Sequence, residues 1–484
     1  MPTRWAGVSP GRVVTVVDLA AWAGLGDAPA LYLDPGVDDH VLSYRDLADA
    51  VRRRTAELAA DRPAGTGASD LLVAVEGHRA APVLIDCLAA LEAGWSVVVA
   101  NGAWWPRERD ALYERLQPGH VLRPDPATAA VPALRPLPAR AEPTERPWRT
   151  GGGPLLWVGS AGGEGDPRAH AFTVDQVRRW LTPDGPGGGT GGTGDAGGYD
   201  DTEAVTGTGA GVLVTGDLGH LATLRTVLAG LARGSAVRVS DRTHLAAHLA
   251  HRRHDEVVTT PLLLRRALRQ LRRRDRHPAG TTRLVLHQGH VRPHEWSAWA
   301  DGPADVVQSR VSLTEAGGWM LLGERPAPGV ELAIAGDGSV TCSGPEASPA
   351  GASGDRPEVG WSTGDLAERR ADGTVHWRGR RRDRFVADGH EVDPVEVEAV
   401  LASHPLVAEV AVAPRPHPER GNLVVAVLVP ADPEWPPFLD DLAPVTAALP
   451  HQARPSALAV VDDLPLNAAG AVHRRLVNYE EAGR

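Results

Sequence analysis

Apolar positions along the chain recur with two alternating periods. In LSYRDLADAVRRRTAELAA (Leu42 to Ala60) they fall three and four apart, which predicts a helix. LLVAVEG (Leu71 to Gly77) is a short unbroken apolar run that predicts a buried strand, APVLIDCLAALEAG returns to the helical period, and SVVVAN closes another strand. From Gly211 the same alternation resumes: GVLVTGD, LRTVLAGLA, AVRVS, LAAHLAHRRH, EVVTT, LLLRRALRQL and RLVLHQG read in turn as strand and helix. The fold class predicted is therefore α/β, with doubly wound sheets covered by helices. After Val330 the texture changes to short strands and tight turns, a β-subdomain, and then to a helix (PVEVEAVLASH) followed by two strands (VAEVAVAP, LVVAVLVP). This division predicts a large domain over 1–379 and a small, mobile α+β domain over 380–484. Two stretches carry neither period. Arg123 to Gly153 is expected to be an irregular connection, and the glycine-rich segment at 182–201 a flexible loop whose glycine spacings carry no nucleotide signature.

Composition narrows the function classes. A chain of 484 residues exceeds one ordinary core. With 42% hydrophobic and 23% charged residues, and no apolar run near the ~18 residues of a membrane span, it is expected to be soluble, with no membrane partner. The N-terminus reads as no secretion signal, and two cysteines, Cys87 and Cys342, fit packing roles in a reducing compartment, so the cytoplasm is expected. A net charge of -11 argues against nucleic acid as a partner. The arginine run from Arg272 to His277 and the HRRHDE run from His251 to Glu256 are both expected to be solvated helix ends rather than a phosphate stripe or a metal site. All 50 lysine-plus-arginine residues are arginine, so chemistry that needs a lysine amine cannot be run by this chain.

Five ordered motifs then carry a resemblance that spans nearly the whole chain. They are LSYRDLADAVRRRTAELAA; GHLATLRTVLAGLARGSAV with His220; VVTTPLLLRRAL; STGDLAERRADGTVHWRGR followed by DGHEVDPVEVEAVLASHPLVAEVAV; and LPLNAAGAVHRRL. The chain resembles the adenylate-forming acyl-activating enzymes: acyl-CoA synthetases, nonribosomal peptide adenylation domains and luciferases. The resemblance implies ATP, Mg²⁺ and a thiol acceptor, either coenzyme A or a phosphopantetheine on a carrier protein. The acyl donor implied is a small carboxylic acid, which attacks the α-phosphate before the acyl group passes to the thiol while the small domain rotates. Carried over by position, Thr314, Glu315 and His220 would be catalytic, with Glu315 holding the metal. Ser160, Gly162, Gly163, Gly165, Arg168, Asp365 and Arg380 would bind nucleotide, Arg382 would sit at the hinge, and Gly389 and His390 would line the thiol tunnel.

The departures from that pattern are as informative. In the phosphate loop SAGGEGDPRA, Glu164 replaces a threonine that would face phosphate, and like charges ~4 Å apart cost about a few kcal/mol. Val311-Ser312 replaces the Tyr-Gly before the Thr-Glu pair, Arg382 replaces the hinge acid, and Val386 replaces the lysine after the hinge. The lysine that neutralises charge during adenylation is Ala471 here. Arg474 and Arg475 lie beyond it as a substitute cation or, more simply, as a solvated helix end. Three readings follow: an AMP-forming ligase with impaired adenylation, an ATP-independent enzyme acting on an acyl thioester through His220, His287, His290 or His390, and a noncatalytic protein that binds a ligand or a partner enzyme.

Overall fold

The computed structural model describes residues 16–33, 40–62, 71–77, 79–101, 106–123, 135–136, 155–160, 168–181, 211–287, 291, 293–351, 359–467 and 470–477. The glycine-rich 182–201 segment, most of the 123–153 connection, Gly162, Gly163, Glu164, Gly165 and His290 lie outside these residues.

The first sheet has seven strands among the described residues. Its parallel centre pairs Leu72–Gly77 with Ser96–Asn101, and Ser96–Asn101 with β1 (Leu155–Ser160). β1 then turns antiparallel onto β2 (Arg168–Thr173) in a register that sets Ser160 opposite Arg168. The second sheet has nine strands. Four of its strands run parallel side by side: Val212–Thr215, His254–Thr259, β3 (Thr281–His287) and β4 (Ala304–Leu313). The near-continuous Val and Leu of these strands reflect burial on both faces. One core fuses the two sheets, because Val73, Val97 and Val158 of the first share a cluster with Val212, Val258 and Val285 of the second.

Two helices of the second layer matter for the site. α1 (Leu221–Ala232) follows strand Val212–Thr215 and is buried along most of its length. α2 (Pro261–Arg273) starts where its sequence dictates: the Thr260 hydroxyl accepts from the Leu263 N–H and proline occupies the first turn. Its leucines face the core, and Arg272 and Arg273 sit in the last turn, where cations suit the helix dipole. Residues 272–276 are exposed, as expected for a solvated helix end.

A four-stranded sheet follows, built of short strands; it includes β5 (Trp361–Arg369) and β6 (Val375–Arg380). The remaining chain forms α3 (Pro394–Leu401) packed on a three-stranded sheet of β7 (Val407–His417), β8 (Gly421–Pro430) and Ala457–Val460. This unit has apolar clusters of its own, starting at Ala387. Large N-terminal and small C-terminal domains are thus both present, as the change in texture predicts. No helix among the described residues is long and apolar enough to cross a membrane.

One expectation fails here. The HRRHDE run is not a solvated helix end: its helix stops at His251, and His254, Asp255 and Glu256 are buried at the start of a central strand. Asp255 accepts from the Gly211 N–H at 2.8 Å and Glu256 pairs with Arg233 at 3.1 Å, so partners compensate the burial of both carboxylates. Among the described residues no group of three or more His, Cys, Asp or Glu could hold a metal ion.

Candidate functional site

Loops at the carboxyl ends of parallel strands are where open α/β folds bind ligands. β4 ends at Leu313, and the chain turns at once through Thr314 and Glu315, with the Gly317 N–H donating to the Thr314 carbonyl at 3.0 Å. Glu315 is buried, and its carboxylate lies 3.4 Å from Nε2 of His170 on β2. Burial pushes the Glu315 carboxyl up, but His170 and the more distant Arg380 outweigh it and leave the group below its ordinary range. Its second oxygen, Oε2, is buried without a hydrogen-bond partner among the described residues.

Asp365 faces the same region from β5. Cross-strand register sets it opposite Arg380 on β6, with Arg380 Nε at 3.5 Å from Oδ1. The Thr363 hydroxyl accepts from the Asp365 N–H at 3.0 Å and donates to the Val340 carbonyl, which fixes this end of the strand. Burial raises the Asp365 carboxyl to about 6, with Arg380 opposing the rise and Glu315 adding to it. Glu315, Asp365 and Arg380, far apart in sequence, therefore share one electrostatic neighbourhood.

Ser160 and Arg168 flank the glycine loop as a paired rung, and the Ser160 hydroxyl donates to the Arg168 carbonyl at 3.3 Å. Arg168 is exposed. His220 occupies the position just before α1, and its ring stacks on that of His287 at the end of β3, with centroids 6.0 Å apart. His287 in turn meets the Trp319 ring edge-on at 5.8 Å. Burial lowers His220 to about 4; burial, then His220 and Arg310, lower His287 to about 3. Both imidazoles are neutral near pH 7.

The remaining predicted residues lie on the small-domain side. Arg382 sits in the one-turn Arg381–Asp383 helix, 3.8 Å from Asp383. Gly389 and His390 form a tight hairpin in which Asp388 and Gly389 both take positive φ, and His390 is exposed. Ala471 closes another hairpin: its N–H donates to the Asn467 side chain at 3.1 Å, and its carbonyl accepts from the Asn467 N–H at 2.8 Å. The expectation for Arg474 is corrected. It is no solvated helix end, and it is already paired: Nε lies 3.2 Å from Asp383 and a terminal nitrogen donates to Glu398 at 2.8 Å. Two carboxylates thus pair with the guanidinium. The Arg475 side chain lies outside the described residues.

Sequence reasoning missed His170. The strand around it, Ala169 to Phe172, is buried throughout, and a histidine in such a run was the available sign. It also missed Glu346, a buried carboxylate that accepts from Arg179 at 2.9 Å and from the Trp180 indole at 2.8 Å.

Comparison with known proteins bears on the fold and on the small domain. Residues 396–471 match the AMP-binding enzyme C-terminal domain. The chain is 30% identical over 182 residues to acetyl-coenzyme A synthetase of Deinococcus radiodurans, covering 38% of this chain and 27% of that protein. It is 37% identical over 114 residues to novobiocin biosynthesis protein H of Streptomyces niveus, covering 24% and 19%. The matched stretches span about a quarter of these relatives' length or less. In structure it is similar to o-succinylbenzoate CoA synthetase of Bacillus subtilis in complex with an acyl-adenylate intermediate (TM-score 0.70, 18% identity, 96% of this chain and 98% of that one). It is also similar to ATP-bound MatB of Rhodopseudomonas palustris (TM-score 0.71, 19% identity, 97% and 99%). The chain has the fold of the adenylate-forming enzymes and carries their AMP-binding C-terminal domain.

Proposed function

We propose that this chain is a divergent acyl-CoA or acyl-carrier-protein ligase-like enzyme, dividing after Gly379, that hands an acyl group to a thiol and is impaired in making the acyl adenylate from ATP. The observation that carries this reading is that Glu315, just past the end of β4, shares one electrostatic neighbourhood with Asp365 and Arg380, which face each other across β5 and β6. Asp365 has the oxygen pair to accept from ribose hydroxyls, and Arg380 the N–H groups to donate to them. Glu315 fits magnesium, because Oε2 is a buried, unpaired carboxylate oxygen; one carboxylate with the remaining ligands from phosphate and water is a common Mg²⁺ arrangement. Bound Mg²⁺ would neutralise phosphate charge. Arg168 and the Ser160 hydroxyl would flank the triphosphate at the glycine loop, and Thr314 would contact the α-phosphate. Gly389 and His390 would border the thiol path.

Impairment follows from Ala471, which offers no donor to charge developing on the transferring groups, and from the engagement of Arg474 elsewhere. The test separates the half-reactions. With a synthetic acyl adenylate and coenzyme A, the protein is expected to form acyl-CoA, while carboxylate-dependent exchange of pyrophosphate into ATP stays near background. Absence of both activities across a panel of small acids would overturn the reading.

A second reading, thioester chemistry without ATP, draws support from one observation. His220 and His287 are stacked at a strand end and neutral near pH 7, which leaves each an unprotonated ring nitrogen, while burial makes both weak bases until a bound substrate supplies compensating charge. Turnover of an acyl-CoA without nucleotide, lost in His287→Ala, would favour it.

A further inference from the structure

The turn that carries Thr314 and Glu315 is gripped from behind by residues that the ligase reading does not use. It leaves β4 at Leu313 and re-enters a strand at Gly318. Between these points it fits a slot that admits only glycine. Gly317 has a φ of +78°, and a Cβ on it would lie 2.3 Å from the Glu346 carbonyl oxygen; Gly318 has a φ of +107°, and a Cβ there would lie 3.2 Å from Cδ of Arg225 on α1. The turn is therefore packed between α1 and the segment around Glu346.

One side chain bonds to both the turn and that segment. Arg225 is 3% exposed, and an interior position tolerates such a charge only with partners. Its guanidinium donates through Nη1 to the Gly317 carbonyl, lies 3.7 Å through Nη2 from Glu346 Oε2, and sits over the Trp180 ring at 5.4 Å from the centroid. Glu346 is braced in turn by Arg179 and by the Trp180 indole, both from the helix Val174–Trp180. Its segment is anchored on either side: the Gln176 amide donates to the carbonyls of Pro345 and Ala347 at 3.0 Å, and the Ser348 hydroxyl donates to the Ala171 carbonyl at 2.9 Å. From there the Ser348 N–H donates to the Glu315 carbonyl at 2.9 Å. The backbone is thus held at Glu315 by Ser348 and two residues on by Arg225, while Oε2 of the Glu315 side chain has no hydrogen-bond partner among the described residues. A planar guanidinium fixes the direction of its hydrogen bonds, which a flexible ammonium does not.

We propose that Arg225, backed by Glu346, is a positioning residue: by holding the Gly317 carbonyl it sets the Thr314–Glu315 turn in the conformation that presents the Glu315 carboxylate to a metal-bound phosphate. The proposal deepens the ligase reading and rests on it for the ligand; the hold on the turn is made without one.

The test uses the full chain and its Arg225→Gln and Arg225→Lys variants. Arg225→Gln leaves Glu346 with Arg179 and Trp180 as partners, so the fold is expected to survive. Two things are measured: hydrogen exchange in the peptide over 313–318, with the β4 peptide over 304–310 as control, and calorimetric affinity for ATP with Mg²⁺ against that for AMP alone, which draws on Asp365 and Arg380 and needs no metal. In Arg225→Gln, exchange in the turn should quicken and binding of ATP with Mg²⁺ weaken, each by about 10-fold, the scale of one hydrogen bond to a charged group, with the control peptide and the AMP affinity unchanged. Arg225→Lys should fall between, because it keeps the charge and loses the fork; if Arg225→Gln fails to fold, the same split in Arg225→Lys carries the test. Unchanged exchange in the turn, or affinities for AMP and for ATP with Mg²⁺ that fall together, would overturn the proposal. An unmodified chain that binds neither nucleotide would overturn the ligase reading, and the exchange data alone would then decide whether Arg225 holds the turn.

Discussion

At the scale of single residues, two side chains decide how the site behaves. Ala471 removes the one group that the resemblance places against charge formed during adenylation. Ala471→Lys is therefore expected to raise ATP–pyrophosphate exchange by roughly 10²- to 10³-fold, the worth of one preorganised donor; no change would show that position 471 does not face the reacting groups. Asp365 titrates in the opposite sense to most carboxylates. Its folded value of about 6 lies above the ordinary 3.8, so its contribution to stability is full below about pH 4 and is lost as pH rises through 6. Asp365→Asn should be more stable than the unmodified protein at pH 7.5 by about 1–3 kcal/mol, with the gain vanishing near pH 4 in denaturant titrations. A destabilised variant at pH 7.5 would mean that the Arg380 contact outweighs the burial cost. Glu315 runs the other way, because His170 and Arg380 hold it low: its share is present at neutral pH and fades on acidification.

Elements show where the sequence could be read and where it could not. α2 was legible from its helical period and from the arginine run expected to be its solvated end, and the Thr260 cap and Pro261 that start it are local chemistry of the same kind. The parallel strands were legible from their unbroken Val and Leu. The fate of His254, Asp255 and Glu256 was not, since three polar residues in a row mark a loop unless distant partners such as Gly211 and Arg233 arrive to pair them. The same holds for the candidate site: Asp365, Arg380 and Glu315 were nominated by motifs, whereas His170 comes beside Glu315 only on folding. Glu346 is of this second kind, a buried acceptor joining α1 to the segment Val174–Trp180 through Arg225, Arg179 and Trp180. Glu346→Ala is expected to cost about 3–5 kcal/mol by chemical denaturation, because it leaves Arg225 buried opposite an empty place; a loss under about 1 kcal/mol would show that this network is not a structural joint.

For the whole molecule, two parts with separate cores meet across α2. The large domain carries Glu315, Asp365 and the histidine pair, and the Ala471 hairpin of the small domain packs on α2 through Gly470. On the proposed reading the protein should hold an acyl adenylate better than it makes one. The most direct measurement is calorimetric titration of the protein with ATP and Mg²⁺, with a nonhydrolysable acyl-adenylate mimic, and with coenzyme A. Micromolar binding of the mimic, tighter than that of ATP and lost in Asp365→Ala, is the predicted result. Binding of coenzyme A or an acyl thioester with no binding of ATP or the mimic would contradict the account.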